Sequence, residues 1–181
     1  MHSIHHPVLH REQRGFTMIE LMIVLVITAI LMTTFAPGLR GAMARNQLLG
    51  QAHELATALS TARSEAVTRG TQAGVCASAN GTTCSGSVDD WGKYILVFID
   101  SDSGSDFDIN EPLLKSFNAQ NQVAQTAPVA AIYFRPSGFS TLNANANIDV
   151  CHTDADESSK CRRVSIGPSG AVSVKTITVT S

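Results

Sequence analysis

The sequence predicts an α+β protein, a long amino-terminal helix packed on an antiparallel β-sheet or sandwich domain. Three observations carry that expectation. From Phe16 to Phe35 the only ionisable side chain is Glu20. An apolar stripe of helical period follows between Leu48 and Ala66. After Gly70 the period becomes that of short strands separated by clusters of Gly, Ser, Asn and Pro.

The first element starts at a junction, Arg14-Gly15-Phe16-Thr17-Met18-Ile19-Glu20, where a basic leader (residues 1–15) meets the apolar run. An ordinary secretory signal is cut beyond its hydrophobic stretch, after small residues, and the stretch is discarded. Here the apparent cut lies before it. About 20 apolar residues in a helix span a bilayer core, so residues 16–37 are expected to stay on the mature chain as a membrane helix. Arg11 and Arg14 hold the leader on the cytoplasmic side and leave the carboxyl end in the periplasm. A competing site, Ala42-Met43-Ala44, has the small-x-small form of signal-peptidase cleavage and would release a soluble product starting at Arg45. Against it, the apolar segment is longer than a usual signal core, and Leu39, Arg40 and Gly41 set that site well past its end. A lone carboxylate near a bilayer boundary costs several kcal/mol or protonates, and is usually kept for a partner. Glu20 is therefore expected to act in assembly. The plainer reading is that it reaches headgroup water and orients the monomer.

The second element, residues 38–70, reads as an amphipathic helix. Leu48, Ala52, Leu55, Leu59, Ala62 and Ala66 recur at steps of four and three, with Gln51, Glu54, Arg63 and Arg69 elsewhere. Pro37, with Gly38 and Gly41, predicts a kink or local melt between the two halves, and Gly70 is a good terminator. So short a run of small residues suits covering a sheet better than pairing as a coiled coil.

Residues 71–181 form the β domain. Candidate strands are Thr71–Ala77, Tyr94–Ile99, Leu113–Phe117, Ala131–Phe134, Ile148–His152, Arg163–Ile166 and Ala171–Thr180, the last two joined through Gly167-Pro168-Ser169-Gly170 as a terminal hairpin. Of 181 residues, about 130 remain for a globular core once leader and helix are set aside, ample for one domain. Losing Arg11, Arg14 and Glu12 with the leader takes the 13 basic and 15 acidic side chains to 11 and 14, a mildly acidic balance. DNA binding relies on clustered lysine and arginine. The one tight basic group, Lys160, Arg162 and Arg163, follows Asp154, Asp156 and Glu157 and reads as a solvated loop.

Four cysteines fall into two local pairs, Cys76 with Cys84 and Cys151 with Cys161. An oxidising periplasm makes disulfides the default, and of the three connectivities the local one closes short loops. A four-thiolate zinc site lacks any C-x-x-C spacing. Cys151 and His152, adjacent in a strand, point to opposite faces and cannot form a dyad. Asp100, Asp102, Asp106, Asp108 and Glu111 imitate the ligand spacing of a calcium-binding EF-hand loop. The pattern departs at Gly104, where a ligand belongs, at Ser105, where the glycine belongs, and in following a strand. A solvated hairpin loop is the preferred reading, with no metal or other cofactor. No Gly-x-Ser-x-Gly, phosphate loop or metal-ligand helix marks an enzyme.

Gly15-Phe16-Thr17-Met18-Ile19-Glu20 with Leu21-Met22-Ile23-Val24 resembles the class III signal of type IV pilins and pseudopilins. That resemblance implies cleavage by a membrane prepilin peptidase between Gly15 and Phe16, N-methylation of Phe16, and a filament in which Glu20 meets a neighbouring subunit's cationic amino terminus and sets axial register. It also implies a helix that breaks near Pro37 on assembly. Trp91-Gly92-Lys93-Tyr94-Ile95-Leu96-Val97-Phe98 with the acidic loop and Glu111-Pro112-Leu113-Leu114 is similar to the GspH/FimT family of minor pilins and pseudopilins. So are Ala62-Arg63-Ser64-Glu65-Ala66-Val67 with Arg69-Gly70, and Arg135-Pro136-Ser137-Gly138. The resemblance implies a pilin-like fold, residence in the inner membrane and then at a pilus tip, and other pilins and an inner-membrane assembly platform as partners. Its two leading roles are a minor pilin that starts pilus assembly and a minor pseudopilin of type II secretion. Some FimT members bind DNA through a Gly-Arg-x-Arg element. This chain has Gly170-Ala171-Val172-Ser173 there, so nucleic acid is not an expected partner. Trp91, Tyr94 and Phe98 are expected to serve core and strand packing.

Overall fold

The computed structural model describes residues 16–104, 107, 111–119, 123–153 and 160–178, the side chains of residues 34–40 and of Lys160 excepted. The leader with Gly15, and Asp106 and Asp108 of the acidic loop, lie outside the described residues. A single helix, α1 (Met18–Arg69), precedes β1 (Gln72–Ser78), a 3-10 turn (Val88–Gly92), β2 (Tyr94–Asp100) and β3 (Leu113–Asn118). Then come β4 (Val123–Thr126), β5 (Ala131–Phe134), β6 (Ala146–His152), β7 (Lys160–Ile166) and β8 (Val172–Thr178). Seven of these strands answer to the expected ones with ends shifted by a few residues. The short β4, and the 3-10 turn that carries Trp91, do not.

Thr17 caps α1, accepting the Glu20 N–H at 3.3 Å. At the other end Gly70 takes a left-handed φ of 67° and donates to Ala66 O at 3.0 Å, closing the last turn as the sequence anticipated. Helical assignment is unbroken through Pro37. The chain nonetheless divides into two compact units, with the boundary between Arg40 and Gly41.

In the first unit the aliphatic side chains from Met18 to Met32 are exposed on every side of the helix, Ile19 at 67%. The hydroxyls of Thr28 and Thr33 return to the helix's own carbonyls, Val24 and Leu25 for the one and Ile30 for the other, at 2.8–2.9 Å. Such back-bonding is how hydroxyls tolerate apolar surroundings. Among the described residues no helix is long and apolar enough to cross a membrane. The side chains of residues 34–37, the end of the span expected over 16–37, lie outside the described residues.

The second unit holds two four-stranded antiparallel sheets, in the order β3-β2-β1-β5 and β4-β6-β7-β8. Both turn one face toward a common core with the α1 stripe. Leu48, Ala52, Leu55, Leu59, Ala62 and Ala66 are all buried there with Val75, Ile95, Val97, Ile132, Phe134, Ile148 and Val164. The alternation of strand side chains sorts the residues. Ile95, Val97 and Ile99 of β2 enter this core, while Leu96 and Phe98 join Cys76 and Tyr133 in a second, smaller cluster. There Phe98 packs on Phe107 at 4.9 Å and edge-on against Tyr133 at 6.0 Å. Gly74, in register with both Phe98 and Tyr133, leaves the space that the Phe98 ring occupies, since a Cβ at Gly74 would collide with it. Trp91 is fully buried beneath the 3-10 turn and donates its indole N–H to Val129 O at 2.7 Å. It packs in the core as expected, but from a turn rather than a strand. Tyr94 is half-buried.

Candidate functional site

Two places concentrate the motifs. The first is the amino-terminal helix. Phe16 stands 81% exposed at the start of the described chain. One turn on, the Glu20 carboxylate has no hydrogen-bond or ion-pair partner among the described residues; the cap at Thr17 uses its backbone N–H. A carboxylate without a partner among the described residues, beside a ring of exposed aliphatics, is suited to contacts with something else.

The second is where three separated motifs converge. The turn Arg135–Gly138 closes through Gly138 N–H to Arg135 O at 2.8 Å, and the turn between β7 and β8 through Gly170 N–H to Gly167 O at 2.9 Å. Ser140 ties them together, its N–H to Pro168 O at 3.0 Å and its hydroxyl to Gly167 O at 2.9 Å. Helix α1 joins through Arg63, whose Nε donates to Gly138 O at 3.0 Å. Gly138 and Gly170 have φ of 79° and 74°. A Cβ at Gly138 would approach Val67, and one at Gly170 would strike Gly138 O and crowd the Arg63 guanidinium. Glycine is required at both by conformation and by space. The sequence showed these segments as separate motifs; that they meet at Arg63 depends on long-range packing that no local pattern encodes.

Cys76–Cys84 and Cys151–Cys161 are disulfide-bonded, and no free cysteine is present among the described residues. The first staples β1 to the loop that follows it, and the second bridges directly opposed positions of β6 and β7. His152 is buried on the core side, its Nε2 3.3 Å from Gln47 Oε1, while Cys151 faces the other way. Gln51 and Gln125 are likewise buried polar residues, which the hydrophobic stripe gave no hint of.

Of the five acidic-loop positions, Asp100, Asp102 and Glu111 bring carboxylate oxygens within 4.8 Å of one another. Those oxygens are engaged by the loop and by β1. Gln72 Nε2 donates to Asp100 at 2.6 Å, Gly104 N–H to Asp102 at 2.8 Å, and Ser101 N–H to Glu111 at 2.9 Å. They brace the β2–β3 hairpin turn, with Asp100 and Glu111 buried where the sequence suggested a solvated loop. The basic group is likewise engaged: Arg163 forks onto Asp149 through two 2.7 Å bonds, which raises its pKa, and Arg162 donates to Thr176.

A long amino-terminal helix and two antiparallel sheets, with an amino-terminal methylation signal, define a pilin-like subunit. The prokaryotic N-terminal methylation motif matches residues 10–36, and the family described as type II transport protein GspH matches residues 51–170. The chain belongs to the GspH family, a family of structural pilin and pseudopilin subunits. Among solved structures it is similar to the type IV minor pilin FimU of Pseudomonas aeruginosa in two crystal forms. The first shares 23% identity and a TM-score of 0.57, covering 72% of this chain and 90% of that one. The second shares 21% identity and a TM-score of 0.55, covering 71% and 92%. It is also similar to the minor pseudopilin EpsH from the type 2 secretion system of Vibrio cholerae, at 12% identity, TM-score 0.50, with 71% and 96% covered. These likenesses concern the fold. No curated protein matches.

Proposed function

We propose that the chain is a minor type IV pilin, a structural subunit near the pilus tip that helps initiate assembly and so supports twitching motility and adhesion. The observation that carries this reading is the methylation motif running straight into an exposed apolar helix whose Glu20 lacks a partner among the described residues. On this reading prepilin peptidase cuts between Gly15 and Phe16, Phe16 is N-methylated, and residues 16–37 wait in the inner membrane with the β domain in the periplasm. The assembly platform then moves the helix into the filament core. There the Glu20 carboxylate meets a neighbour's cationic terminus in low dielectric, where a charge pair fixes register, and the helix yields near Pro37. Two disulfides suit a domain carried outside the cell.

The family's description favours a second reading, a GspH-type minor pseudopilin of type II secretion. A DNA receptor for transformation is the weakest reading, since Arg162 and Arg163 are engaged within the fold and the Gly170 element carries no arginine. The mass of the mature protein tests processing: it should correspond to a chain beginning at Phe16 with one added methyl group, whereas a product starting at Arg45 would end the proposal. A deletion strain divides the two leading readings. Loss of surface filaments and twitching is expected; intact pili with failed protein export would select the pseudopilin, and intact pili with intact export would refute both.

A further inference from the structure

Arg63 is half-buried, and its only hydrogen bond among the described residues is the one from Nε to Gly138 O. That bond fixes the plane of the guanidinium and leaves the donors of its two terminal nitrogens without an acceptor among the described residues. Nearby Glu65 does not neutralise it, being paired with Arg69 at 2.6 Å. Arg63 lines a groove of about 430 Å³ between α1 and the β7–β8 turn, with Ser60, Ser64 and Thr68 along one helix face and Val67 and Val172 beside them. Ser60, Ser64 and Thr68 are spaced by four and so stand in one row. An oriented, unneutralised guanidinium beside a row of hydroxyls is matched by a carboxylate, whose two oxygens accept end-on from the terminal nitrogens.

We propose that this groove receives an aspartate or glutamate side chain of a neighbouring filament subunit, clamped by Arg63, with its methylenes against Val67 and Val172. The proposal rests on the filament reading and names the chemistry of one contact in it. Nucleic acid fits less well, because the groove offers a single cation and no lysine, while phosphate-backbone binding draws on several cations at once.

The test uses the full chain in detergent micelles, with NMR of the Arg63 Nε–H and of the Ser64 and Gly170 amides. Sodium acetate should shift these signals saturably beyond sodium chloride at equal ionic strength. Ser64→Trp, which fills the groove and leaves the Arg63–Gly138 bond in place, should abolish the response with the remaining spectrum unchanged. In cells the same variant should lower recovery of the subunit in sheared filaments about tenfold, equivalent to ~1.4 kcal/mol of lost contact. An acetate response no greater than that of chloride overturns the carboxylate site. So does a short oligonucleotide that shifts Arg63 at far lower concentration, which would make the groove a nucleic-acid site. An acetate response with normal incorporation of Ser64→Trp overturns the subunit contact. None of these outcomes depends on the deletion strain, so failure here is separable from failure of the filament reading.

Discussion

Residues 18–32 and 44–66 of one helix are both rich in aliphatic side chains, but they are apolar in different ways. In the first stretch they occur on every side and all are exposed; in the second, the exposed Leu49 apart, they form one stripe, and Leu48, Ala52, Leu55, Leu59, Ala62 and Ala66 are at most 2% exposed. A helix apolar all round needs an apolar medium or other helices, whereas a helix apolar on one face needs only a sheet beneath it. The second stretch is completed by its own chain, and on the proposed reading the first serves contacts with other molecules. Stability and assembly should therefore respond to mutations in separate halves.

The largest expected effect breaks or upholds that division. Leu55→Ala should lower the unfolding free energy by about 2–5 kcal/mol, the usual cost of truncating a fully buried leucine. Ile23→Ala, at an exposed position, should stay within about 0.5 kcal/mol. Guanidinium titration of the full chain in detergent, followed by the fluorescence of buried Trp91, measures both. Similar losses at the two positions would mean that the exposed half is also part of the folding unit. The complementary experiment is Glu20→Ala, which should leave the titration midpoint unchanged and sharply reduce incorporation into filaments. A shift of midpoint without an assembly defect would invert the proposed roles.

Gly170→Ala sharpens the comparison within the buried half, since it loosens the turn on which α1 is latched without touching the stripe. A φ of 74° is strained for alanine, and the added Cβ would strike Gly138 O. A loss of roughly 1–3 kcal/mol is expected from the backbone alone, measured in the same titration. A neutral result would show that the two turns give way easily and that Arg63 is not held by them.

The same division explains what could be read in advance. Periodicity located the stripe, because burial against a sheet imposes a helical period on the residues themselves. It also placed seven strands, while the short separations of 8 and 10 residues were enough to pair the cysteines. It passed over β4, where Val123 and Gln125 are buried between exposed Ala124 and Thr126: four residues are too short an alternation to register, and a buried glutamine reads as surface. It could not foresee that Arg63, Gly138 and Gly170 would meet, since each is an ordinary surface or turn residue until packing joins them. Glu20 stands out in the sequence for the opposite reason, being the one charged group in an apolar run, and its part in assembly is the proposal that Glu20→Ala tests.

The smallest effect concerns a polar contact in the folded half. Asp90, in the 3-10 turn, accepts a 2.7 Å ion pair from Lys93. The Lys93 hydrogen bond, followed by one from Ser85 and by the Lys93 charge, holds the Asp90 carboxyl below its ordinary value, against the opposing pull of burial. A depressed carboxylate stabilises the fold above its unfolded value, near pH 4, and loses that contribution as pH falls through the lower folded value. Lys93→Met removes both the hydrogen bond and the charge. Its unfolding midpoint should therefore lie slightly below that of the unaltered chain at pH 6, and the gap should narrow as the titration is repeated below pH 4. A gap that stayed constant over that range would assign the effect to lost side-chain packing of Lys93, and one that widened on acidification would contradict the direction of the Asp90 shift.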